Sequence, residues 1–264
     1  MADLRLDMFI KKKLNISRQK AQELISDRSV SVNNKIIDKP SYKVSENDNV
    51  EVNNTENILK YVGRGGYKLE KAIEAFGIHI KGICTDIGAS TGGFTDCMLK
   101  NGAETVYAVD VGSDQLAENL KNDSRVVSME NCDIRSADVP KSDFIGCDVS
   151  FISLTKIFEK VSEILKDDGQ GVFLIKPQFE AGKENISKKG IVKNPKVHKK
   201  VIRDIIENAA LNKLYVQAIT YSPIQGGDGN TEYLILIDKK EGAAVSQQDI
   251  DLTVENAFNY FKNR

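Results

Sequence analysis

Apolar and polar positions in the larger, C-terminal part of the chain predict a repeated strand–helix pattern. The predicted strands are residues 83–88, 105–110, 125–129, 143–148, 171–176, 214–221 and 232–237. The predicted helices are residues 92–101, 114–121, 154–166 and 197–211. Strands that alternate with helices form a mostly parallel sheet that carries helices on both faces. We therefore predict an open α/β fold for this part of the chain.

The last two predicted strands are joined in a different way. A long glycine-rich loop that contains Gly226, Gly227 and Gly229 connects them, and no helical pattern lies between them. This connection favours an antiparallel pair at one edge of the sheet. Residues 246–262 have apolar side chains at helical spacing, which predicts a final helix.

The first part of the chain, residues 1–58, is predicted to be a separate small α+β domain, and residues 59–264 form the second domain. An apolar stripe that includes Leu6 and Ile10 predicts a first helix, and Ser17 can cap a second one. Short strands are predicted around Val30–Val32, at Ile36–Ile37 and at Val50–Val52. A polar linker, which begins at Asn53, separates the two domains.

Composition narrows the class of protein further. The 264 residues carry a net charge of −1, so any basic surface must be local. The four cysteines are dispersed and only two histidines are present, which predicts neither disulfides nor a metal site. The N-terminus has no apolar core of signal-peptide length, and no apolar run approaches the ~18 residues that span a bilayer. We therefore expect a soluble, cytoplasmic protein.

A glycine-rich turn follows the first strand of the α/β part, between Thr85 and Phe94. Glycines permit the dihedral angles of a tight turn and let a ligand approach the backbone closely. The N–H groups at the start of the next helix add partial positive charge. Asp110 ends the second strand roughly 20 residues later, where a carboxylate can accept the hydroxyls of a ribose. Residues 83–110 therefore indicate a nucleoside-binding site.

The spacing within this turn distinguishes two classes of cofactor. A dinucleotide G-x-G-x-x-G motif would need glycine at position 90, where the chain has Ser90. The G-x-x-x-G-G spacing behind Asp86 favours S-adenosylmethionine, because Asp86 can hold the amino group of its methionine part directly or through water. The residues expected to bind this cofactor are Asp86, Gly88, Ala89, Ser90, Gly92, Gly93, Phe94 and Asp110.

Four charged residues lie at or near the predicted ends of strands. Asp148 and Lys176 each end a strand, Glu232 opens the last strand, and Lys68 precedes the sheet. A lysine that terminates an apolar strand is unusual, because long charged side chains are seldom buried unpaired. Open sheets bind ligands beyond the carboxyl ends of their strands, so we predict that these four residues are catalytic.

Two lysines and two carboxylates suit methyl transfer to a ribose 2′-hydroxyl. This hydroxyl holds its proton far above neutral pH, so it needs a lysine amine to take the proton or an ammonium to stabilise the alkoxide. A second lysine disfavours full protonation of the pair, and carboxylates act in the opposite direction. The sequence leaves open which lysine carries the proton; we expect Lys176 to lie nearest the reacting oxygen.

Different sequence marks are associated with methyl acceptors of another kind. Methyl transfer to exocyclic base nitrogens usually accompanies an Asp/Asn-Pro-Pro-aromatic motif after the fourth strand, where this chain has Asp148-Val149-Ser150-Phe151. Carbon-5 pyrimidine chemistry needs a nucleophilic cysteine, commonly after proline, and the chain has no Pro-Cys pair. Both differences favour a hydroxyl acceptor.

The N-terminal pattern resembles the RNA-binding domain named after ribosomal protein S-four. The resemblance rests on Arg-Leu-Asp at residues 5–7, on the run from Ser17 to Ile25, and on Val-Ser-Val-Asn-Asn-Lys at residues 30–35. It implies that a basic helix face contacts RNA phosphates, which place a protein on RNA without reading its sequence. The residues implied are Arg5, Lys12, Arg18 and Lys20.

The order Lys68, Asp148, Lys176, Glu232 resembles the Lys-Asp-Lys-Glu tetrad of FtsJ/RrmJ-type ribose methyltransferases. Together with the runs at residues 61–69, 86–96 and 175–180, the whole chain resembles the TlyA, or haemolysin-A-like, family. This implies a Rossmann-like methyltransferase sheet of seven strands, the last one antiparallel, and an S-adenosylmethionine-dependent 2′-O-methyltransferase that acts on cytidines of ribosomal RNA. It also implies that Asp133 contacts the adenine. Arg64, brought to the active-site rim by flexible glycines, is expected to contact RNA.

The linker of this chain departs from that family. The family often has an Arg-x-Trp-Pro-like linker, whereas this chain has Asn57-Ile58-Leu59-Lys60, so the resemblance implies no coupling between RNA binding and cofactor binding through the linker.

Three different functions compete with methyl transfer. The family name suggests a membrane-active haemolysin, but the chain has no export signal and no amphipathic basic helix with aromatic anchors. The second competing function is RNA binding by a protein with an inactive enzyme domain, and the third is that of an NAD oxidoreductase. The sequence predicts no oligomeric state.

Overall fold

The computed structural model describes residues 4–14, 16–26, 28–45, 47–53, 60–226, 229–242 and 245–263. The chain divides into two compact units, Met1–Tyr61 and Val62–Arg264. The predicted boundary between residues 58 and 59 and most of the linker lie outside the described residues. Each unit is considered by itself.

The N-terminal unit contains two short helices and short strands. Its helices are α1 (Leu6–Leu14) and α2 (Arg18–Ser26). Its strands are β1 (Leu4–Arg5), β2 (Val30–Val32), β3 (Lys35–Ile36), β4 (Lys43–Val44) and β5 (Val50–Val52). β2 pairs with β3 and β5, and β1 pairs with β4, all antiparallel. Leu6, Ile10, Leu24 and Ile25 are fully buried, so the apolar helix stripes form the core of this unit.

The second unit follows the predicted order of strands and helices. Its helices are α3 (Gly65–Phe76), α4 (Gly93–Lys100), α5 (Glu118–Lys121), α6 (Phe158–Ile164), α7 (Pro177–Glu180), α8 (Pro195–Leu211) and α9 (Gln247–Lys262). Its strands are β6 (Ile83–Ile87), β7 (Thr105–Val109), β8 (Val126–Met129), β9 (Ser142–Cys147), β10 (Leu165–Ile175), β11 (Tyr215–Tyr221) and β12 (Tyr233–Asp238).

These strands form one seven-stranded sheet in the order β11-β12-β10-β9-β6-β7-β8. β12 runs antiparallel to both β10 and β11, whereas the pairs from β10 to β8 are parallel. The predicted α/β fold with an antiparallel pair at one edge is therefore confirmed. The chain leaves β6 towards β7 and β8 on one side and returns to β9 on the other. Ligands bind at such a switch point, beyond the carboxyl ends of the strands.

Two predicted helices are shorter in the structure. The helix predicted over residues 154–166 is a 3₁₀ turn at Leu154–Lys156 followed by α6, and Leu165 already pairs with Ser142 in the sheet. Leu165 belongs to β10 and not to the helix, and in this position its side chain is fully buried. The helix predicted from residue 114 begins only at Glu118, because Asp114 has a φ of 53° and Ala117 is extended with a ψ of 139°, and a right-handed helix excludes both.

Candidate active site

A chain of ion pairs joins the four residues that the sequence predicts to be catalytic. Lys68 Nζ lies 2.8 Å from Glu232 Oε2 and 3.2 Å from Asp148 Oδ2. Lys176 Nζ lies 2.7 Å from Asp148 Oδ1. Asp148 therefore bridges the two lysines, and Glu232 binds Lys68 on its other side.

The fold brings these residues together from four separate elements. Lys68 lies in the first turn of α3, Asp148 follows β9, and Lys176 follows β10. Glu232 precedes β12, and because β12 is antiparallel its start lies at the same edge as the ends of β9 and β10. The strand ends thus place charged side chains where the backbone leaves the sheet.

Burial decides how these charges behave. The side chains of Lys68 and Glu232 are 9% and 2% exposed. Desolvation by burial would lower the pKa of Lys68, but the charges of Asp148 and Glu232 outweigh it, so the pKa is raised. Burial would likewise raise the pKa of Asp148, but the two lysines outweigh it and the pKa is lowered. Lys68 and Asp148 are therefore held as a charged pair.

Lys176 has a different set of partners. Within the described part of the chain, its Nζ pairs with a single carboxylate, that of Asp148, and donates a hydrogen bond of 2.8 Å to Ser150 Oγ. The ring centroid of Phe179 lies 6.0 Å from the same nitrogen. Lys176 thus pairs with fewer negative charges than Lys68, and its place nearest the reacting oxygen remains a prediction.

A cavity of about 690 Å³ opens next to this chain of ion pairs, at the carboxyl ends of β6, β7 and β9. Of the predicted cofactor residues, Gly88, Ser90, Asp110 and Asp133 line it, and Asp148 lines it as well. The further lining residues are Ile87, Val109, Val111, Gly112, Gln115, Cys132, Ile134, Arg135, Val149, Ser150, Phe151, Ile152 and Ile157. Its walls are thus apolar with a few convergent polar groups, as in small-molecule sites.

The two carboxylates on the far side of this cavity are already held in place. Asp110 Oδ2 accepts a hydrogen bond of 2.7 Å from the Ser90 N–H, and its Oδ1 accepts one of 2.7 Å from the Gly112 N–H. Asp133 pairs with Arg135 at 2.6 Å, and this guanidinium lowers the pKa of Asp133. The backbone and Arg135 therefore orient both carboxylates at the cavity wall.

Asp86 is a buried carboxyl that forms no ion pair within the described ranges. Its Oδ2 accepts hydrogen bonds from the N–H and hydroxyl of Thr95, at 2.8 and 2.6 Å, while its Oδ1 has no partner among the described residues. Desolvation by burial raises the pKa of Asp86 to about 7. A buried oxygen without a donor fits an amino group or an ordered water. Asp86 and the cavity lined by Asp110 therefore fit S-adenosylmethionine, which carries an amino group and a ribose.

The glycines of the turn fall into two groups. Gly88 has a φ of +83°, and a Cβ on it would lie 2.9 Å from the Asp148 carbonyl oxygen, so it brings the backbones after β6 and β9 together. A Cβ on Gly92 would meet the side chains of Leu116 and Leu120, and one on Gly93 would meet the backbone of residues 65 and 66. These two glycines thus have a packing reason that is independent of a ligand.

Besides Asp86, four residues predicted to contact the cofactor do not line the cavity. They are Ala89, Gly92, Gly93 and Phe94. Phe94 is buried in the core, where its ring lies against the backbone of Gly65 and Gly146. Contact between these residues and a cofactor remains a prediction.

Two polar contacts of the ion-pair chain were not predicted from the sequence. Ser150 accepts the hydrogen bond of Lys176, and Gln178 Nε2 lies 3.5 Å from Glu232 Oε1. A signal was present for both, because each lies two residues beyond a predicted catalytic residue at a strand end. Arg64, predicted to contact RNA, donates a hydrogen bond of 2.6 Å to the Gln225 carbonyl oxygen.

In the N-terminal unit, Asp7 forms ion pairs with two of the predicted RNA-binding residues. Asp7 is fully buried, and its carboxylate lies 3.0 Å from Arg5 Nε and 3.0 Å from Arg18 Nε. The hydrogen bond from Arg5 makes the largest contribution to lowering the pKa of Asp7. Both guanidinium side chains remain about half exposed, at 44% and 50%. Asp7 thus fixes two cations that can still meet a ligand.

The two predicted lysines of this unit differ from each other. Lys12 is exposed on α1. The side chain of Lys20 is buried, and its Nζ donates a hydrogen bond of 3.2 Å to the Tyr61 carbonyl oxygen. Because this contact engages the ammonium of Lys20 within the unit, we expect Lys20 to contribute less to RNA binding than Arg18 does.

None of the helices in the described ranges has the length and apolar character needed to cross a membrane. Within the same ranges, no three His, Cys, Asp or Glu side chains converge to hold a metal ion.

Comparison with known proteins gives the family. Residues 61–239 match the model of the FtsJ-like methyltransferases, and residues 4–50 match that of the S4 domain. YqxC of Bacillus subtilis (strain 168) is 42% identical, over 98% of this chain and 96% of its own. The 16S/23S rRNA (cytidine-2'-O)-methyltransferase TlyA of Mycobacterium tuberculosis (strain ATCC 25618 / H37Rv) is 34% identical, over 95% of each chain.

A solved structure agrees with these matches. A protein from Streptococcus thermophilus that carries the name hemolysin is 40% identical, with a TM-score of 0.79 over 100% of this chain and 98% of its own. The cofactor of this fold and family is S-adenosylmethionine, which the residues around the cavity fit. The chain therefore belongs to the FtsJ-like methyltransferase family and, with an S4 domain in front of the methyltransferase domain, to its TlyA group.

Proposed function

We propose that this protein methylates ribose 2′-hydroxyls of ribosomal RNA, with cytidine as the target nucleoside. The observation that carries the proposal is the Glu232–Lys68–Asp148–Lys176 chain of ion pairs beside the cavity. Relatives over nearly the whole chain are named for cytidine 2′-O-methylation of ribosomal RNA, which supports the choice of acceptor. Ribosomal RNA as a substrate implies a cytoplasmic location.

In this proposal, Lys176 acts on the proton of the 2′-hydroxyl. S-adenosylmethionine supplies, when bound, an electrophilic methyl group on a positively charged sulfur. Lys176 Nζ takes the hydroxyl proton, or donates a hydrogen bond to the developing alkoxide. Its partners Ser150 and Asp148, which both line the cavity, direct the amine. Asp110 is proposed to hold the cofactor ribose and Asp133 its adenine.

Lys68 and Glu232 play a supporting part. Their buried ion pair fixes Asp148 from the side opposite Lys176, so that Asp148 Oδ1 stays directed at Lys176. A reacting group held in one orientation needs little rearrangement in the transition state. The tetrad therefore combines one lysine held between two carboxylates with one that pairs with a single carboxylate and with Ser150.

The S4 domain is proposed to bring the enzyme to its substrate. Arg5 and Arg18, anchored on Asp7, and the exposed Lys12 would bind phosphates of structured RNA. Arg64 of the second unit would contact RNA close to the active site. Such contacts position the protein but do not select a sequence, so the target nucleotide is chosen elsewhere.

The test is transfer of labelled methyl from S-adenosylmethionine to separated ribosomal subunits, followed by nucleoside analysis. We expect the label in 2′-O-methylcytidine and its loss in Lys176→Ala. Lys81→Ala, which changes an exposed lysine at the opposite edge of the sheet, serves as the control and should keep full activity. Label on a base, or an active Lys176→Ala variant, would contradict the proposal.

A further inference from the structure

A run of lysines follows the last catalytic lysine in the chain. Between residues 183 and 200 there are seven lysines against one carboxylate, that of Glu184. The lysines are Lys183, Lys188, Lys189, Lys193, Lys196, Lys199 and Lys200. Because the whole chain has a net charge of −1, the remainder is acidic and this positive charge is local.

Most of these lysines have no carboxylate partner among the residues that the structure describes. Lys199 pairs with Asp251 and Glu255, and Lys200 pairs with Asp204. The other five are exposed and make no ion pair within the described part of the chain: Lys183, Lys188, Lys189, Lys193 and Lys196. We call these five residues the lysine segment. A solvated helix face usually intersperses both signs of charge, which this segment does not.

The centre of the lysine segment is an ordered turn. The Ser187 N–H donates a hydrogen bond of 3.0 Å to the Ile191 carbonyl oxygen, and the Gly190 N–H donates one of 2.8 Å to the Ser187 carbonyl oxygen. Gly190 has a φ of +75°, which suits a tight turn. Lys188 and Lys189 thus lie at the tip of a defined turn.

A buried asparagine in the segment before β12 ties this turn to the neighbourhood of Glu232. Asn230 is 1% exposed, donates a hydrogen bond of 2.9 Å from Nδ2 to the Gly190 carbonyl oxygen, and accepts one of 3.1 Å from the Val192 N–H. Glu232 follows two residues later. The turn is therefore fixed to the same short segment that carries a member of the tetrad.

We propose that the lysine segment is a second RNA-binding surface, located on the methyltransferase unit, which binds phosphates of the RNA strand that carries the acceptor ribose. This proposal rests on the proposed function. A polyanion is the partner that fits five exposed ammonium groups without carboxylate partners in the described ranges, on a chain that is nearly neutral. The tie through Asn230 would keep the bound strand in register with the tetrad.

The experiment compares the RNA affinities of two triple variants. The RNA is that of the ribosomal subunit that the wild-type protein methylates. Lys188→Gln/Lys189→Gln/Lys193→Gln removes three charges from the lysine segment. Lys81→Gln/Lys141→Gln/Lys240→Gln removes three exposed charges at the opposite edge of the sheet, where β6 and β9 begin and β12 ends. Affinity for RNA is measured at several salt concentrations from about 50 to about 300 mM, and affinity for S-adenosylmethionine is measured alongside.

Loss of three phosphate contacts should lower the slope of log affinity against log salt by about 2, and weaken binding roughly 100-fold at about 0.1 M salt. The control variant should keep the wild-type slope, and both should keep the wild-type affinity for S-adenosylmethionine. An unchanged slope in the lysine-segment variant would overturn the inference. The inference would also be overturned if polyglutamate inhibited RNA binding of that variant and of the wild type to the same extent. Failure of the wild type to methylate either subunit would instead count against the proposed function.

Discussion

Lys68 Nζ and Glu232 Oε2 lie 2.8 Å apart although 164 positions separate the two residues in the chain. Lys68 is on the helix that precedes the sheet. Glu232 precedes β12, the antiparallel strand that comes last in the chain. The ion pair therefore joins the first helix of the second unit to the start of its last strand. The contact that orients Asp148 thus depends on parts of the chain that are distant in sequence.

Replacement of one partner of this buried pair should be costly. Glu232→Gln leaves Lys68 with the single carboxylate of Asp148 in a buried site. We expect the free energy of unfolding to fall by about 3 kcal/mol, the usual range when one partner of a buried ion pair is removed, and methyl transfer to fall at least ~10-fold. Urea unfolding and a single-turnover assay measure the two effects.

A double variant provides the control for that measurement. Lys68→Met/Glu232→Gln removes the buried cation together with its partner, so it should recover part of the lost stability. Its methyl transfer should remain low, because Asp148 is then no longer held on its second side. If Glu232→Gln unfolds at the same urea concentration as the wild type, the pair is not buried as described.

Ser150 is the second residue whose substitution is informative. Ser150→Ala removes the hydrogen bond that Lys176 Nζ donates, and leaves its ion pair with Asp148 intact. We expect a several-fold fall in the rate of methyl transfer and a shifted pH–rate profile, with little change in the affinity for S-adenosylmethionine. Ser150→Thr, which keeps the hydroxyl, should restore the wild-type profile. A profile unchanged in Ser150→Ala would show that Ser150 has no part in directing the amine.

The sequence predicted those parts of the fold and site that depend on local pattern. The turn at Gly88 and the carboxylate of Asp110 follow from a strand, a glycine spacing and a second strand, all within residues 83–110. The sequence predicts a catalytic role for Lys176 because a long charged side chain seldom ends an apolar strand without a partner. The seven-stranded sheet was predicted because its strands alternate with helices.

The features that were not predicted depend on neighbours across the sheet. Ser150 meets Lys176 because β9 and β10 are adjacent; its place two residues beyond Asp148 was a signal in the sequence, but the contact itself depends on the sheet. Leu165 belongs to β10 because its pairing with Ser142 outweighs the helical pattern before it. Phe94 points into the core because Gly65 and Gly146 leave room for its ring. In each case, tertiary contacts override the local preference.

The buried carboxyl of Asp86 makes stability depend on pH. Its pKa of about 7 in the folded protein exceeds the ordinary value of 3.8, so the unfolded chain ionises at lower pH than the folded one. Stability of the cofactor-free protein should therefore fall as pH rises through the interval between these two pKa values, at about 1.4 kcal/mol per pH unit, and level off above it. Urea unfolding at several pH values from about 5 to about 8 measures the fall.

Asp86→Asn is the matched variant for this measurement. It keeps an oxygen for the two hydrogen bonds from Thr95 but cannot ionise. The fall in stability between about pH 5 and about pH 7 should therefore be smaller in Asp86→Asn than in the wild type. Equal falls in the two proteins would assign the pH dependence to other groups.

The two glycines Gly88 and Gly77 offer a matched pair for the turn. Both have positive φ, but a Cβ on Gly88 would lie 2.9 Å from the Asp148 carbonyl oxygen, whereas a Cβ on Gly77 would meet nothing within 4 Å. Gly77→Ala should cost only the strain of the left-handed conformation, about 1 kcal/mol. Gly88→Ala should cost more, and should also reduce affinity for S-adenosylmethionine. Calorimetry with the cofactor tests this, and equal affinities in the two variants would contradict it.

Arg18 and Lys20 separate RNA binding from structure within one helix. Arg18 is half exposed beside Asp7, whereas Lys20 is buried and bonded to the Tyr61 carbonyl oxygen. Arg18→Gln should lower the salt slope of RNA affinity by about 1, the change expected for one phosphate contact. Lys20→Gln removes the same charge but should leave the slope unchanged and cost about 1–3 kcal/mol of stability, the loss expected for a buried hydrogen bond. Filter binding at several salt concentrations, with urea unfolding of both variants, measures these effects. A lower slope in Lys20→Gln at wild-type stability would reverse the two assignments, because the lysine would then reach RNA and the hydrogen bond to Tyr61 would not hold it.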